Sequence, residues 1–421
     1  MGGFLAKLHP IIIRFALLEW SVFAFYSSIL LVKNSFGLFA GVLVCLSLVA
    51  VLGRWPLRLL PLDHVFTGLL AIFPLLMVPS LLVNGGSLDY FDYPIRALLY
   101  IPLIIGLRSY ATPRIFEDFL FRGVSTGGLF AAIFSVYSRI FILAPLEGVG
   151  RPITNSIAFG QIAAILALLA LAGMCRNGGR LQKIYCGFGC LGAVIAVYAS
   201  GSAGALLGLV FGALVQLVLL GRSSKSPVHF KIIFILFLAS AAILLPLAVF
   251  KYGQITSETT AFFAGKGMGT SQGQRLIAMQ IALQSFFQHP LLGIGPGNAH
   301  QVIAAYCSAN LCTDLFQEWR GMHNQYLDIL LTSGLVGLAG WFIFSIGIIC
   351  LFYSRFRSGA ARIISGAGLS VVVAMMISAF PQPLYNHNIS VISFFFTITF
   401  LWFLAYPAPK ELTSLDENMM K

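Results

Sequence analysis

The sequence predicts an all-α integral membrane protein with about twelve transmembrane helices and one large, partly helical outer loop. Apolar residues make up 58% of the 421 residues and charged residues 10%, whereas a soluble domain carries about 25% charged residues. The mean hydropathy is +0.91, and apolar stretches of membrane-spanning length recur along the chain. This composition excludes an ordinary water-soluble enzyme, and the long apolar runs exclude a disordered chain.

Twelve apolar stretches are candidates for membrane spans, each of which needs roughly 20 mostly apolar residues. We expect helices because hydrocarbon offers no water to satisfy backbone groups. Two candidates are weak, since the first contains Arg14 and Glu19 and the fourth is short with Arg96 at its start. The candidates are residues 11–32, 37–53, 65–84, 94–107, 119–142, 156–174, 184–200, 203–220, 230–250, 324–350, 361–380 and 388–406.

The positions of Lys and Arg predict that both termini are cytoplasmic. Every loop between spans that would lie inside carries at least two basic residues, as Arg54 and Arg58 do in the first of them. The net charge of +12 therefore indicates membrane orientation rather than nucleic-acid binding. No cleavable signal is evident, because the first apolar stretch is long and lacks a small-residue cleavage site.

These spans divide the chain into four parts. Residues 1–250 would hold nine spans with short loops, residues 251–323 the large outer loop, residues 324–406 three spans, and residues 407–421 a polar cytoplasmic tail. A loop this long usually contains structure of its own, and loops carried by a rigid scaffold often hold functional residues. The outer loop is therefore the first place to look for a site.

An amphipathic helix is predicted in this loop, lying on the outer bilayer surface. Large apolar residues from Leu276 to Phe287 recur at helical spacing beside a stripe of glutamines, and Ser271 or Gly273 can cap the start. Arg275 lies in the first turn, where the helix macrodipole disfavours a cation. Either Arg275 reaches to lipid phosphate, or its guanidinium and the free backbone N–H groups form a site for phosphate or pyrophosphate.

His323 closes the outer loop at the start of the tenth span. It is either an interfacial histidine without a function or a base, because a position near a helix start keeps the imidazole neutral and able to accept a proton. Asp328 is about 140° further round the helix, so we assign it no chemistry and expect it to pair with an arginine or a backbone group. Gly334 and Gly337 indicate close helix packing.

Two linked motifs in this region resemble the O-antigen ligase family. His323 and Asn324, followed after nine residues by Gly334 and after two more by Gly337, are similar to the family signature. Arg275 with the segment HPLLGIGPGN is similar to the family's outer-loop segment, and twelve spans with one large late outer loop are similar to the family's layout. The sharp motifs cover residues 271–340 only.

The resemblance implies a membrane glycosyltransferase similar to the C-type class. Its substrates would be an O-antigen polysaccharide on undecaprenyl pyrophosphate and a lipid A–core acceptor. The reaction would take place at the periplasmic face of the bacterial inner membrane. Membrane lipids would be further partners, and no nucleic acid would bind. His323 would be the catalytic base and Arg275 a pyrophosphate contact. The family often has an arginine where this chain has Ala203, and Arg151 or Arg96 would supply that second contact instead.

The chemistry of this reaction needs stabilisation of the departing diphosphate and removal of a proton from the acceptor hydroxyl. Arginine suits the first task and a neutral histidine the second. Direct displacement at the anomeric carbon predicts an inverting transferase. We expect neither a metal nor a cofactor, because Asp89 and Asp92 are the only outer carboxylates close in sequence, and an exposed turn explains them better.

Cys307 and Cys312 both lie in the outer loop. An oxidising compartment favours a disulfide between them, and two free thiols are the alternative.

Three other functions are alternatives. An O-antigen polymerase or a protein O-oligosaccharyltransferase would use the same groups on a different acceptor, and their sequences are similar. A secondary transporter is a remote alternative, since no repeat of two six-span halves is visible and a late 72-residue outer loop is unusual for one.

Overall fold

The structure is a computed structural model in which every regular element of the described residues is a helix. The start of the first predicted span, most of the predicted ninth span at residues 230–250, and the predicted tail lie outside the described residues. The structure describes residues 17–52, 59–110, 113–142, 148–223, 242, 245–246, 249–309, 312–319, 321–359, 361–385 and 387–407.

Sixteen α-helices are numbered here in chain order within the described residues. The helices are α1 (17–28), α2 (Ser35–Leu52), α3 (Pro61–Asn84), α4 (Leu88–Ile95), α5 (Tyr100–Tyr110), α6 (Pro113–Phe141), α7 (Ser156–Cys175), α8 (Arg180–Ser200), α9 (Ala203–Ser223), α10 (249–263), α11 (Ser271–Gln288), α12 (Ala299–Ala309), α13 (Asp314–Gln317), α14 (Gln325–Ser358), α15 (Arg362–Ser378) and α16 (Asn388–Ala405).

The helices make this chain a multi-pass membrane protein. Seven described helices are long and apolar enough to cross a bilayer, and three shorter apolar helices accompany them. These ten helices overlap with ten of the twelve predicted spans. The weak fourth span is longer than the predicted 94–107, because α4, a 3₁₀ turn at Arg96–Leu99 and α5 run together from Leu88 to Arg108.

Small residues let the helices of the bundle approach closely. A Cβ on Gly127 of α6 would lie 2.1 Å from the Tyr26 carbonyl oxygen of α1, and one on Gly128 would lie 2.1 Å from the Gly189 carbonyl oxygen of α8. Within lipid, helices associate through such close packing, because hydrocarbon is as apolar as the side chains themselves. Helix α6 is thereby held between α1 and α8.

A buried ion pair closes the end of the bundle that lies away from residues 264–323. The Arg108 guanidinium donates to both carboxylate oxygens of Asp63, each at 2.9 Å, and the Trp402 indole N–H donates to Asp63 Oδ1 at 2.9 Å. Arg108 also donates to the Phe403 carbonyl oxygen at 3.1 Å. Arg108 is thus inside the bundle and not a loop charge, and it links α3, α5 and α16.

Residues 264–323, called the loop segment below, have a hydrophobic core of their own. Ile277 and Ile281 of α11, Ile303 of α12 and Phe316 of α13 are all buried in it. Part of α14 also contributes to this core, so the loop segment is packed onto the bundle. The predicted loop boundary at residue 251 lies inside α10, which continues to residue 263.

Candidate active site

His323 lies directly before α14, in a strained backbone conformation. The next residue, Asn324, is the N-cap of α14, and its side-chain oxygen accepts from the N–H groups of Tyr326 at 3.0 Å and Leu327 at 3.1 Å. His323 has φ +49°, a left-handed conformation that residues other than glycine rarely adopt. Such conformations persist only where the surroundings enforce them, and they cluster at functional sites.

The His323 imidazole is largely enclosed and neutral at pH 7. Burial, together with the smaller effects of the Arg275 and His387 charges, lowers its pKa to about 4, while the Gln382 side chain acts in the opposite direction. The sequence predicted a neutral ring from its place near a helix start, but the principal cause is burial. The structure thereby brings His323 and Arg275 within electrostatic range, although 47 residues separate them in the sequence.

Arg275 is partly buried on α11, and burial lowers its pKa while the carboxylate of Glu258 raises it. Glu258 lies on α10 and accepts the Gln272 backbone N–H through Oε2 at 2.9 Å. Thr270 caps the helix by accepting the Gly273 N–H at 3.1 Å, so neither Ser271 nor Gly273 is the cap. The N–H groups of Gln272 and Gly273 are therefore occupied and are not free to bind an anion.

Helix α11 is amphipathic, with small and branched residues towards the protein and several of its large apolar residues facing outward. Ile277 and Ala278 pack against the protein, and α11 contacts α12 and α14. Met279, Leu283 and Phe287 are exposed. Small and branched residues therefore make the protein contact, and the large residues remain available to lipid.

A segment of the loop, residues 289–298, inserts into a break in α14 and is called the strap below. The break lies at Gly334, which has φ +60°, and a Cβ there would be 2.3 Å from the Leu291 carbonyl oxygen. Four backbone hydrogen bonds replace those lost from the helix, as a membrane-embedded backbone requires. They run from Ile294 N to Leu331 O (2.9 Å), Gly295 N to Thr332 O (3.0 Å), Leu335 N to Pro290 O (2.9 Å) and Val336 N to Leu291 O (3.2 Å).

Gly334 and Gly337 of α14 have different structural roles. Gly334 is needed for a backbone break rather than for the close helix packing that the sequence indicated. Gly337 lies one turn further on, where a Cβ would meet the Ser333 Cβ at 2.3 Å. Ser80 of α3 donates to the Thr332 carbonyl oxygen at 2.7 Å and Asn84 donates to the Gly293 carbonyl oxygen at 3.1 Å, so α3 supports the break from the other side.

Residues 188–342 match the family model described as O-antigen ligase. This similarity covers little more than a third of the chain. The match covers Arg275, His323 and the complete glycine signature, and the resemblance seen in the sequence is confirmed. Family members are glycosyltransferase-like enzymes that act on lipid-linked glycans. No curated protein matches the chain.

Arg96 lies directly after α4, in the 3₁₀ turn, and outside the matched residues. It forms an ion pair with Asp92, hydrogen bonds to the Asn388 side-chain oxygen, and lies 5.1 Å from the centre of the Tyr93 ring. Asp92 and Asp89 belong to helix α4 rather than to the exposed turn that the sequence favoured. The charge of Arg96 is therefore already balanced by a carboxylate.

Arg151 is exposed, and it makes no ion pair with any other residue that the structure describes. It lies four residues before Asn155, whose side-chain oxygen caps α7 by accepting the Ala158 N–H at 2.8 Å. The Asn155 side-chain nitrogen lies 3.0 Å from Nδ1 and 3.2 Å from Nε2 of His387. The charge of His387 lowers the pKa of His323, so His387 belongs to the site. The segment that carries Arg151 and Asn155 therefore borders the site.

Ala203, where the family often has arginine, also borders the site. A Cβ on the adjacent Gly204 would lie 3.5 Å from the Gln382 side chain, which faces His323. Ala199 lies close by, at the end of α8. Its carbonyl oxygen accepts a hydrogen bond from the Arg139 guanidinium of α6 at 3.4 Å. The sequence placed Arg139 within a span and gave no reason to connect it with this end of the bundle.

Three neighbours of His323 were missed by sequence reasoning: Trp319, Gln382 and His387. The last two lie between α15 and α16, about sixty residues away in the chain, and no local periodicity connects them with His323. Trp319 is only four residues from His323, and its aromatic character was the one available signal. Asp328 accepts the Met322 N–H at 3.0 Å, and this backbone partner is one of the two that were expected.

Cys307 and Cys312 are joined by a disulfide, with their Cα atoms 5.4 Å apart. The bond ties the end of α12 to the start of the segment that leads through α13 to His323. Among the described residues, no group of three or more His, Cys, Asp or Glu side chains could hold a metal ion.

Proposed function

We propose that this protein is an O-antigen ligase. It transfers O-antigen polysaccharide from undecaprenyl pyrophosphate to a sugar hydroxyl of lipid A–core, without a metal and with inversion at the anomeric carbon. The observation that carries the proposal is that a neutral, enclosed imidazole and a partly buried guanidinium, His323 and Arg275, lie within electrostatic range of each other. A base and an anion-stabilising group beside one another are what this transfer needs.

In the proposed reaction, His323 accepts the proton of the acceptor hydroxyl while its oxygen attacks the anomeric carbon of the donor. The bond from that carbon to the pyrophosphate oxygen breaks, and undecaprenyl pyrophosphate leaves with the bonding electron pair. Arg275 stabilises the negative charge of the leaving group. A bound diphosphate also raises the pKa of His323, because the anion opposes the effect of Arg275 and favours the imidazolium that forms.

A second guanidinium contact is assigned to Arg151 in preference to Arg96. Arg151 is exposed, whereas Asp92 balances the charge of Arg96. The donor carries several negative charges, so an unpaired guanidinium contributes more than one already bound to a carboxylate.

The membrane orientation that goes with this proposal places the loop segment in the periplasm of a bacterial inner membrane and both termini in the cytoplasm. The basic residues of the loops support it. The disulfide also supports it, because such bonds form in oxidising compartments.

Replacement of His323 tests the proposal directly. We expect His323→Ala to lower transfer about 10²–10⁴-fold, the range for loss of a general base, in a reconstituted assay with a defined undecaprenyl pyrophosphate glycan and lipid A–core. His64→Ala is the control, because His64 is exposed on α3, beside the ion pair at the opposite end of the bundle. Normal transfer by a folded His323→Ala protein would refute the assignment of the base.

The acceptor is tested in cells that lack the gene. Long undecaprenyl-linked chains together with bare core indicate a ligase. A single repeat unit on the core would instead identify an O-antigen polymerase and overturn the choice of acceptor while leaving the chemistry intact. Glycan missing from proteins but normal on the core would indicate a protein O-oligosaccharyltransferase.

A further inference from the structure

An aromatic stack connects the core of the loop segment with His323. The Trp319 and His323 rings have their centres 3.8 Å apart and their planes inclined by 33°. The Phe316 and Trp319 ring centres are 5.1 Å apart. Phe316 is 1% exposed and packs in the loop core with Ile277. The three rings therefore form a continuous contact from a buried anchor to the candidate base.

The segment that carries Trp319 is held by the same helix that carries Arg275. The Gln274 side chain of α11 donates to the Thr313 hydroxyl at 2.7 Å, and that hydroxyl accepts the Phe316 N–H at 3.3 Å. The Trp319 N–H donates to the Phe316 carbonyl oxygen at 3.1 Å. Because Gln274 and Arg275 are consecutive residues, one turn of α11 locates both the guanidinium and the indole.

The backbone around His323 is fixed, but the backbone alone leaves the imidazole free to rotate. Asp328 holds the Met322 N–H and Asn324 caps α14, so the strained conformation at His323 is enforced from both sides. Neither contact touches the ring. The broad indole face of Trp319 does, and Gln382 approaches the ring as well.

We propose that Trp319 is a positioning residue of this site, whose indole holds the His323 imidazole in one orientation and keeps water from one of its faces. The catalytic meaning of this role rests on the proposed function of His323. The stacking itself does not, and it is testable without any transfer assay.

The expected effect on protonation follows from the groups that face the ring. Two positive or potentially positive groups face His323, namely Arg275 from α11 and His387 from the start of α16, and both disfavour the imidazolium. The carboxylates of Glu258 and Asp328 stand one contact further away. Removing the indole admits water, which raises the His323 pKa, whereas loss of the π-face contact with the imidazolium lowers it. Burial is the largest cause of the depressed pKa, so the rise prevails.

The experiment is an NMR titration of the intact protein with ¹³C-labelled histidine in nanodiscs, with the His323 signal assigned by its loss in His323→Gln. In the unaltered protein we expect His323 to titrate with a midpoint of about 4. We expect its midpoint in Trp319→Ala to rise from about 4 towards the ordinary value of about 6.5. Trp319→Phe keeps an aromatic face and retains the low midpoint. Trp20→Ala, which removes an exposed indole from α1, is the matched control and leaves it unchanged.

Transfer provides the second measurement. A rise of the midpoint to about 6.5 makes the rate of Trp319→Ala fall roughly tenfold between pH 7.5 and 5.5, a range over which the unaltered protein varies little. The other six histidines report folding, and Trp319→Leu replaces Trp319→Ala if the alanine variant does not fold. An unchanged His323 midpoint in a folded Trp319→Ala or Trp319→Leu protein overturns the proposal. A raised midpoint with pH-independent transfer keeps the positioning role and refutes His323 as the base.

Discussion

At the scale of single residues, the site contains two groups, Arg275 and His323, that repel each other when both are protonated. The guanidinium of Arg275 lowers the pKa of His323, so a proton on His323 is disfavoured until an anion arrives between them. In the proposed reaction, a negatively charged donor would therefore bind to Arg275 and also raise the basicity of His323 when the acceptor must be deprotonated.

Replacement of Arg275 separates these effects. We expect Arg275→Ala to lower transfer by about 10²–10³-fold, the loss typical for removal of one group that stabilises a developing negative charge. The His323 pKa should rise from about 4, because the repulsion by Arg275 is lost. The acid limb of the pH–rate profile should then move to higher pH. Measurement of kcat/KM against pH checks both effects.

Lys266→Ala removes an exposed cation from the same loop segment and serves as the control for net charge. If both variants lose transfer equally, the effect is one of general attraction between the loop segment and an anionic donor, and the specific contact is wrong.

The residues of the site could be predicted only where they lie inside a sequence motif. Arg275 and His323 belong to the motifs that resemble the family, and the charge of Arg275 acts on His323. Gln382 and His387 reach the site because the connection between the end of α15 and the start of α16 lies there. Contacts between residues about sixty positions apart leave no periodic pattern in one sequence. The free N–H groups at α11 were predicted from local pattern alone, and Glu258 from another helix occupies one of them.

At the scale of elements, the strap and the broken helix α14 form one unit. The carbonyl groups freed by the break accept from the strap, and the strap's own carbonyl groups accept from α14 beyond the break. His323 stands at the start of α14 and the strap follows α11, which carries Arg275. The break therefore fixes the distance between the two helices that hold the candidate base and the candidate pyrophosphate contact.

Substitution of Gly334 tests this unit. Gly334→Ala forces a side chain into a left-handed conformation and places its Cβ 2.3 Å from the Leu291 carbonyl oxygen. We expect a loss of stability of about 1–3 kcal/mol from the backbone conformation alone, seen as a lower thermal unfolding temperature in detergent, together with reduced transfer. Gly68→Ala is the control, because Gly68 lies inside α3 with no atom within 4 Å of an added Cβ. Equal stability of the two variants would show that the strap can leave the break without cost.

Hydropathy predicted the spans well because span length and polarity are set by the bilayer itself. It could not show which side of α11 packs against the protein. In water the largest apolar residues mark the buried face, but beside a bilayer they can remain exposed to lipid while smaller residues such as Ala278 pack against protein. The cap at Thr270 was missed because three neighbouring residues offered similar capping chemistry.

At the scale of the whole molecule, the two ends of the bundle differ in chemistry. The end with the loop segment brings together Arg275, His323 and His387. The opposite end uses its charges internally, as in the buried pair of Asp63 and Arg108, or presents them at helix termini. The proposed transferase would need its reactive groups at one membrane face, and this difference between the two ends is consistent with that requirement.

The proposed orientation is tested by single-cysteine labelling in a protein whose free cysteines are replaced by serine and whose disulfide is kept. We expect Gln284→Cys, on the exposed face of α11, to react with a membrane-impermeant maleimide in intact spheroplasts. Ser358→Cys, exposed at the far end of α14, should react only after the membrane is broken, because a spanning helix places its two ends on opposite sides. The opposite pattern would place the site in the cytoplasm, where a periplasmic glycan donor could not reach His323, and would refute the proposed reaction even if the site geometry is correct.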